Sequence, residues 1–340
     1  MGNTIQKTAS RQTDIDIMRC ICILWVVAFS HLTDYTPYPV SNPPVFFATR
    51  IMLASMFFVS GFLNSKKQFL NYKDCFRYYL TRFSHSYIPL FFSCMAAYAE
   101  KILIHDWLFQ NMKVFIRTLF GISCIVTPAP ATLWFICTIL IFYALTPFLI
   151  WKYDLKQMLF KSLGAYALML LLHFVFHLFD DRVLLYFPIY VSGLFFNMLL
   201  PVLQNKKIKT AGFILCACCV VVLTLTGWNH TKNYFFQFAT AAFGIPLVYL
   251  IAKCFGKIRG VSRFLAFLGK AGMSFYLFHR QIYSLLQYFF GKTFSLWFAY
   301  LVALPVCILL GILIDFLLHR LMKAVDTLFG KLRIPSGKVS

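Results

Sequence analysis

The chain of 340 residues is 60% hydrophobic, with a mean hydropathy of +0.74, which excludes an ordinary soluble domain. Its net charge of +21 does not call for nucleic acid. The basic residues are spread over short turns with no soluble module to gather them into a groove, so membrane topology and contact with anionic lipid account for them.

A bilayer core takes about 20 apolar residues per helical crossing. The apolar stretches predict spans at 17–35, 45–64, 84–104, 132–151, 159–179, 183–203, 208–228, 235–256, 263–290 and 296–320. The segment 107–125 is ambiguous. Lys113 to Val126 reads as an interfacial or re-entrant helix, and Pro128-Ala129-Pro130 breaks the helix before the fourth span. The first span reads as an uncleaved signal anchor. Lys and Arg collect on the cytoplasmic side of membrane proteins. With the N-terminus inside, most of the 32 basic residues fall in inside turns, among them Lys66, Lys67, Lys73, Arg77 and Arg82, then Lys206, Lys207 and Lys209. The expected fold is an all-α integral membrane protein of about ten transmembrane helices with both termini cytoplasmic. It forms a single multipass domain over 1–340 that includes a short basic cytoplasmic tail, 321–340. The eleven Cys lie mostly within spans and form no CxxC pair, which predicts neither a disulfide framework nor a metal site.

Ionisable residues within spans are costly and mark functional sites by default. In chain order, the first group is Arg11, Asp16, Arg19 and His31. Asp16 and Arg19 share a helix face. His31 lies fifteen residues beyond Asp16, about 22 Å along an α-helix and roughly 60° around it. An interfacial ion pair and a hydrogen-bonded interfacial His are the plainer readings. Asp34 either orients His31 or is a solvated loop residue. Ser60-Gly61 closes the second span, where Gly61 permits close helix packing and Ser60 supplies a hydroxyl. Arg77, Arg82 and His85 precede Pro89 at the inner end of the third span. They either snorkel to lipid phosphates or form a phosphate-binding mouth, for which Arg is suited. Trp134 at the outer start of the fourth span is an aromatic-belt anchor or a site residue. His173 and His177 are four apart but lack a third ligand with sensible spacing. Ser274 to His279 places a His within the ninth span.

Taken in this order, these residues resemble the acyltransferase 3 family of bacterial membrane O-acyltransferases, over nearly the whole chain. Asp16-Ile17-Met18-Arg19-Cys20 is similar to the family's Asp-x-x-Arg-Gly, and His31 follows twelve residues after the Arg. Phe58-Val59-Ser60-Gly61-Phe62, Leu133-Trp134-Phe135 and Ser274 to His279 resemble three further family elements. Two departures stand out: Cys20 replaces Gly, and Arg82-x-x-His85 stands where the family has Arg-x-x-Arg. The resemblance implies transfer of an acyl group, usually acetyl, from cytoplasmic acyl-CoA to a hydroxyl of a glycan or glycolipid, in the bacterial cytoplasmic membrane. His31 would be the general base, and Asp16 would serve the catalytic group by orienting Arg19. Arg19, Arg82, His85, Arg77 and Ser60 would hold the donor, and Trp134 and His279 would line the acceptor side. Acyl-CoA would act as co-substrate with no permanently bound cofactor and no metal. The expected partners are acyl-CoA, the glycan or glycolipid acceptor and the lipid bilayer, without nucleic acid. The rival expectation is a polysaccharide or lipid-linked sugar transporter, or export partner, without chemistry of its own.

Overall fold

The structure, a computed structural model, describes residues 2–37, 42–67, 69–105, 112–126, 132–151, 154–199, 205–291 and 294–331. The side chain of Arg11, the Pro128-Ala129-Pro130 break and residues 332–340 of the expected tail lie outside the described residues. The helices are α1 (Gly2–Leu24), α2 (Pro43–Asn64), α3 (Tyr72–His105), α4 (Met112–Leu119), α5 (Ser123–Val126), α6 (Trp134–Leu149), α7 (Leu155–Phe176), α8 (Asp181–Leu199), α9 (Lys206–Thr226), α10 (Tyr234–Gly256), α11 (Arg259–Phe290), α12 (Leu296–Phe298) and α13 (Leu304–Lys331). Each predicted span falls on a helix. No β-strand occurs among the described residues.

Polar residues in the turns set where helices begin. The side chains of Asn42, Asp154, Asn205 and Asn233 each accept a backbone N–H from the first turn of α2, α7, α9 and α10. Prolines follow Asn42 in the first turn of α2, where no backbone donor is needed. Seven helical segments are long and apolar enough to cross a membrane: 13–35, 43–64, 72–104, 155–176, 207–226, 234–256 and 296–325. α6 is apolar but shorter. Leu, Ile, Val and Phe side chains on α7 and α9 are exposed, including Phe160, Leu168, Leu171, Ile214, Leu215 and Val221. So much uncovered apolar surface suits contact with lipid tails.

The core is built around α1, α2, α8, α10 and α11. α2 lies between α8 and α10, and α1 runs along α10 and α11. Two crossings depend on missing side chains. A Cβ at Gly61 would strike the carbonyl oxygen of Tyr190, and one at Gly193 would strike that of Phe58, so α2 and α8 meet backbone to backbone. A Cβ at Gly269 would likewise strike the carbonyl of Asp16, which fixes the α1–α11 crossing.

The connections sort into two ends. Phe69, before α3, pairs with Trp151, after α6, and Asn197 near the end of α8 donates to Ser65 after α2. At the other end, the turn after α7 bonds to α5 through Phe179 N–H to Ile125. Two features differ from expectation. The helix containing His31 is not α-helical throughout, because Trp25–His31 forms a π-helix. Its wider turns advance fewer degrees per residue, so the face of His31 departs from α-helical extrapolation. The predicted tail also begins as helix, since α13 continues to Lys331.

Candidate active site

Two histidines far apart in sequence meet inside the bundle. His31 ends the π-helical turns, and His279 lies completely buried in α11. Nδ1 of His31 and Nε2 of His279 are 2.8 Å apart. The ring planes differ by 7° and the centroids are 5.0 Å apart. With nitrogens in contact at that centroid spacing, the rings meet edge to edge rather than face to face. The other His279 nitrogen, Nδ1, lies 2.8 Å from the carbonyl oxygen of Tyr276. Tyr283 packs edge-on against both His279 and Tyr35. Ser93 of α3 donates to the carbonyl of Leu277, which holds this part of α11 in place. The buried Tyr276 hydroxyl has no hydrogen-bond partner among the described residues.

Polar groups continue beyond the pair. Arg280 bonds Asp34 at 3.2 Å, and the Tyr35 hydroxyl donates to the Arg280 carbonyl at 3.2 Å. Asp34 therefore serves Arg280, and His279 holds the orienting position beside His31. The buried Glu100 accepts from Ser284 at 2.5 Å.

The residues expected at the inner end divide into three groups. Arg82 donates to Asn64 Oδ1 at 2.8 Å and lies against the Tyr143 ring at 5.1 Å. Asn64 in turn donates to the Tyr190 hydroxyl at 3.3 Å, which bonds the Thr146 hydroxyl at 2.6 Å. Nε of Arg82 is buried without a partner among the described residues. Lys67 sits 5.4 Å from the Tyr78 ring beside this group. The second group is Asp16 with Arg19, at 3.8 Å. Nearby, Ser274 donates to Asp315 at 3.0 Å. The third is His85, which lines a cavity of about 310 Å³ with Phe316, His319, Arg320, Met322 and Lys323.

Three further expected residues are placed as follows. Asp16 contacts Arg19, the partner its spacing implied, and lies fifteen residues along the helix from His31. The Ser60 hydroxyl is turned back onto its own helix, donating to the Met56 carbonyl at 2.9 Å. Arg77 is exposed, and it does not join Arg82 in the Asn64 group. Trp134 is buried, stacked on Tyr186 at 5.8 Å, with the Arg182 guanidinium 4.7 Å from its ring. Its neighbour Phe135 packs on Tyr276, so one aromatic side chain links the Trp134 neighbourhood to the residue whose carbonyl holds His279.

Sequence reasoning missed Asn64, Tyr190, Lys67 and Asp315. Asp315 was the most accessible of these, being a carboxylate in the last predicted span. Asn64 and Tyr190 carry no comparable local signal. His173 of α7 is occupied at its helix end, bonding the Phe179 carbonyl at 2.9 Å and Asp181 at 3.3 Å. Asp180 in the same turn takes two hydrogen bonds from the Arg182 guanidinium, at 2.6 and 2.7 Å, and a third from the Arg182 backbone N–H at 3.0 Å. Burial pushes the Asp180 carboxyl up, but the bonds and charge of Arg182 outweigh this and hold it below the usual carboxylate value.

The acyltransferase 3 family model, described as an acyltransferase domain, matches residues 12–316. The chain belongs to that family, and is a multi-pass membrane acyltransferase. No curated protein and no solved structure matches it.

Proposed function

We propose that this acyltransferase moves an acetyl group from cytoplasmic acyl-CoA to a hydroxyl of a cell-surface glycan or glycolipid in the bacterial cytoplasmic membrane, with His31 as general base. The observation that carries the proposal is the edge-to-edge contact of His31 with His279 within the bundle. An imidazole held by a second group on one nitrogen has its other nitrogen available for proton transfer. Membership of an acyltransferase family favours this reading over a transporter without chemistry.

The step balances without a resident cofactor. The acceptor hydroxyl gives its proton to the His31 imidazole as its oxygen attacks the thioester carbonyl carbon. The carbon–sulfur bond breaks, and the departing CoA thiolate takes the proton back from the imidazolium. The products are an O-acyl ester and CoA thiol. At the inner end, Arg82 with its unpartnered Nε, Lys67 and Arg19 would hold the donor phosphates by charge-assisted bonds. Asp16 would orient Arg19, and Trp134 would line the acceptor side. The proposed topology has ten crossings with both termini cytoplasmic.

The test is purified full-length protein with acetyl-CoA and a cell-envelope glycan fraction, read by mass spectrometry of acetylated product. His31→Ala should fold, bind acetyl-CoA and lose on the order of 10²–10⁴-fold in transfer rate. Wild-type turnover in that variant would remove His31 from the chemistry.

A further inference from the structure

We infer that His279 fixes the tautomer of His31, so that Nε2 of His31 is the nitrogen that takes the acceptor proton. This rests on the reading of His31 as general base and adds to it the reacting atom and the residue that selects it.

The carbonyl oxygen of Tyr276 only accepts, so its 2.8 Å contact with His279 Nδ1 requires a proton on Nδ1. That carbonyl has two lone pairs and can accept this bond as well as a helical N–H. A neutral imidazole carries one ring proton, which leaves Nε2 of His279 as a bare acceptor. The 2.8 Å contact with Nδ1 of His31 is then a hydrogen bond only if His31 donates from Nδ1. The His31 lone pair therefore resides on Nε2.

The opposite arrangement needs an imidazolium at position 279, donating from both nitrogens. His279 is completely buried and adjoins Arg280. Its hydrogen bonds among the described residues go to the backbone carbonyls of Tyr276 and Phe275 and to His31, and no partner is a carboxylate. A second positive charge there would be desolvated and uncompensated.

His279 is thus a positioning residue. In a Ser-His-Asp triad a carboxylate both orients the base and stabilises the imidazolium. Here a neutral ring supplies orientation without countercharge. The protonated His31 is consequently short-lived and must pass its proton on, which suits a single passage from acceptor oxygen to thiolate through Nε2.

Two measurements on the full-length protein test the inference. The first is solid-state nitrogen-15 spectroscopy of histidine-labelled protein in lipid bilayers, with resonances assigned by difference against His31→Gln and His279→Gln. The expected result is a ring proton on Nδ1 of both histidines. A proton on Nε2 of His31 in the wild type, with His31→Ala inactive, would overturn the tautomer assignment alone. Turnover surviving in His31→Ala would overturn the base assignment itself.

The second compares two near-isosteric variants in acetyl transfer. The His279→Gln side chain can place an amide oxygen where Nε2 lies and still accept from His31. The His279→Asn side chain reaches the Nδ1 position and offers no acceptor at Nε2. His279→Asn should lose on the order of 10²–10⁴-fold in kcat with an unchanged KM for acetyl-CoA, and His279→Gln should stay within about tenfold of wild type. Equal activity of the two variants, high or low, would overturn the role given to His279.

Discussion

Arg82 shows how one side chain can be held for a task its own neighbours do not complete. Asn64 takes one end of the guanidinium and Tyr143 lies against it, yet Nε is buried without a partner among the described residues. Buried donors are normally satisfied, so an unmade bond points to a ligand. A donor phosphate would supply it. Arg82→Ala should weaken acetyl-CoA binding about 10- to 100-fold, the scale of one lost hydrogen bond to a charged group. Arg77→Ala should bind like wild type, because Arg77 is exposed and stands apart from that group. Calorimetric titration of acetyl-CoA into both variants checks this. Equal losses would indicate diffuse surface attraction instead of a seated phosphate. Arg82 and His85 stand three residues apart on α3 and were read together as a phosphate-binding mouth or as residues snorkelling to lipid. In the fold Arg82 turns to α2 and His85 to α13, a division that local spacing cannot express because it depends on which helices flank α3.

At the scale of elements, helix positions were legible and the joints between them were not. Apolar runs marked every long helix, since about 20 such residues are what a crossing demands. Gly61 was legible as a packing residue, though its counterpart Gly193 was found only in the fold. The π-helical turns at Trp25–His31 left no mark in the pattern, because the same apolar residues suit either winding. The turn from α7 to α8 was similarly hidden. There Asp180 and Arg182, separated by one residue, form a local clamp, and Arg182 also lies against Trp134. The Asp180 carboxyl titrates below its usual value. A depressed carboxylate adds stability above its unfolded pKa, and that stability is lost as pH falls through the folded value. Asp180→Asn should therefore lower thermal stability at neutral pH by about 1.5–3 kcal/mol, the worth of hydrogen bonds to a charged group. Melting curves of both proteins should converge on acidification to below the ordinary carboxylate range. A gap that stayed constant into acid would show that the clamp acts through shape and not charge.

For the whole molecule, contacts show which turns share an end, and the expectation of which end faces the cytoplasm comes from charge. The residues that link to one another at one end, Phe69 with Trp151 and Ser65 with Asn197, belong to turns that the basic-residue pattern assigned to the cytoplasm. Ser274 of α11 bonds Asp315 of α13, and His85 of α3 lines a cavity with Met322 and Lys323 of α13, so the last helix packs beside α3 and α11 at this end. At these turns the contacts group segments that the charge pattern also groups, and the assignment of that end to the cytoplasm rests on the charge pattern alone. The His31–His279 pair joins segments 248 residues apart, a relation that composition and periodicity do not encode. Each histidine was visible as an ionisable group in a span, but their contact required the folded bundle. α9 provides the sharpest test of sidedness. It is long and apolar enough to cross, and its window buries nothing within the protein, so lipid contact is its main support. Lys207 lies at its start and Lys232 beyond its end. Reporter fusions at these two positions should report opposite sides of the membrane, with Lys207 cytoplasmic. The same side for both would turn α9 into a surface helix and reverse every crossing after it. Lys207 outside and Lys232 inside would keep the crossing but invert the molecule, placing Arg82 and Lys67 away from cytoplasmic acyl-CoA and removing the donor path proposed here.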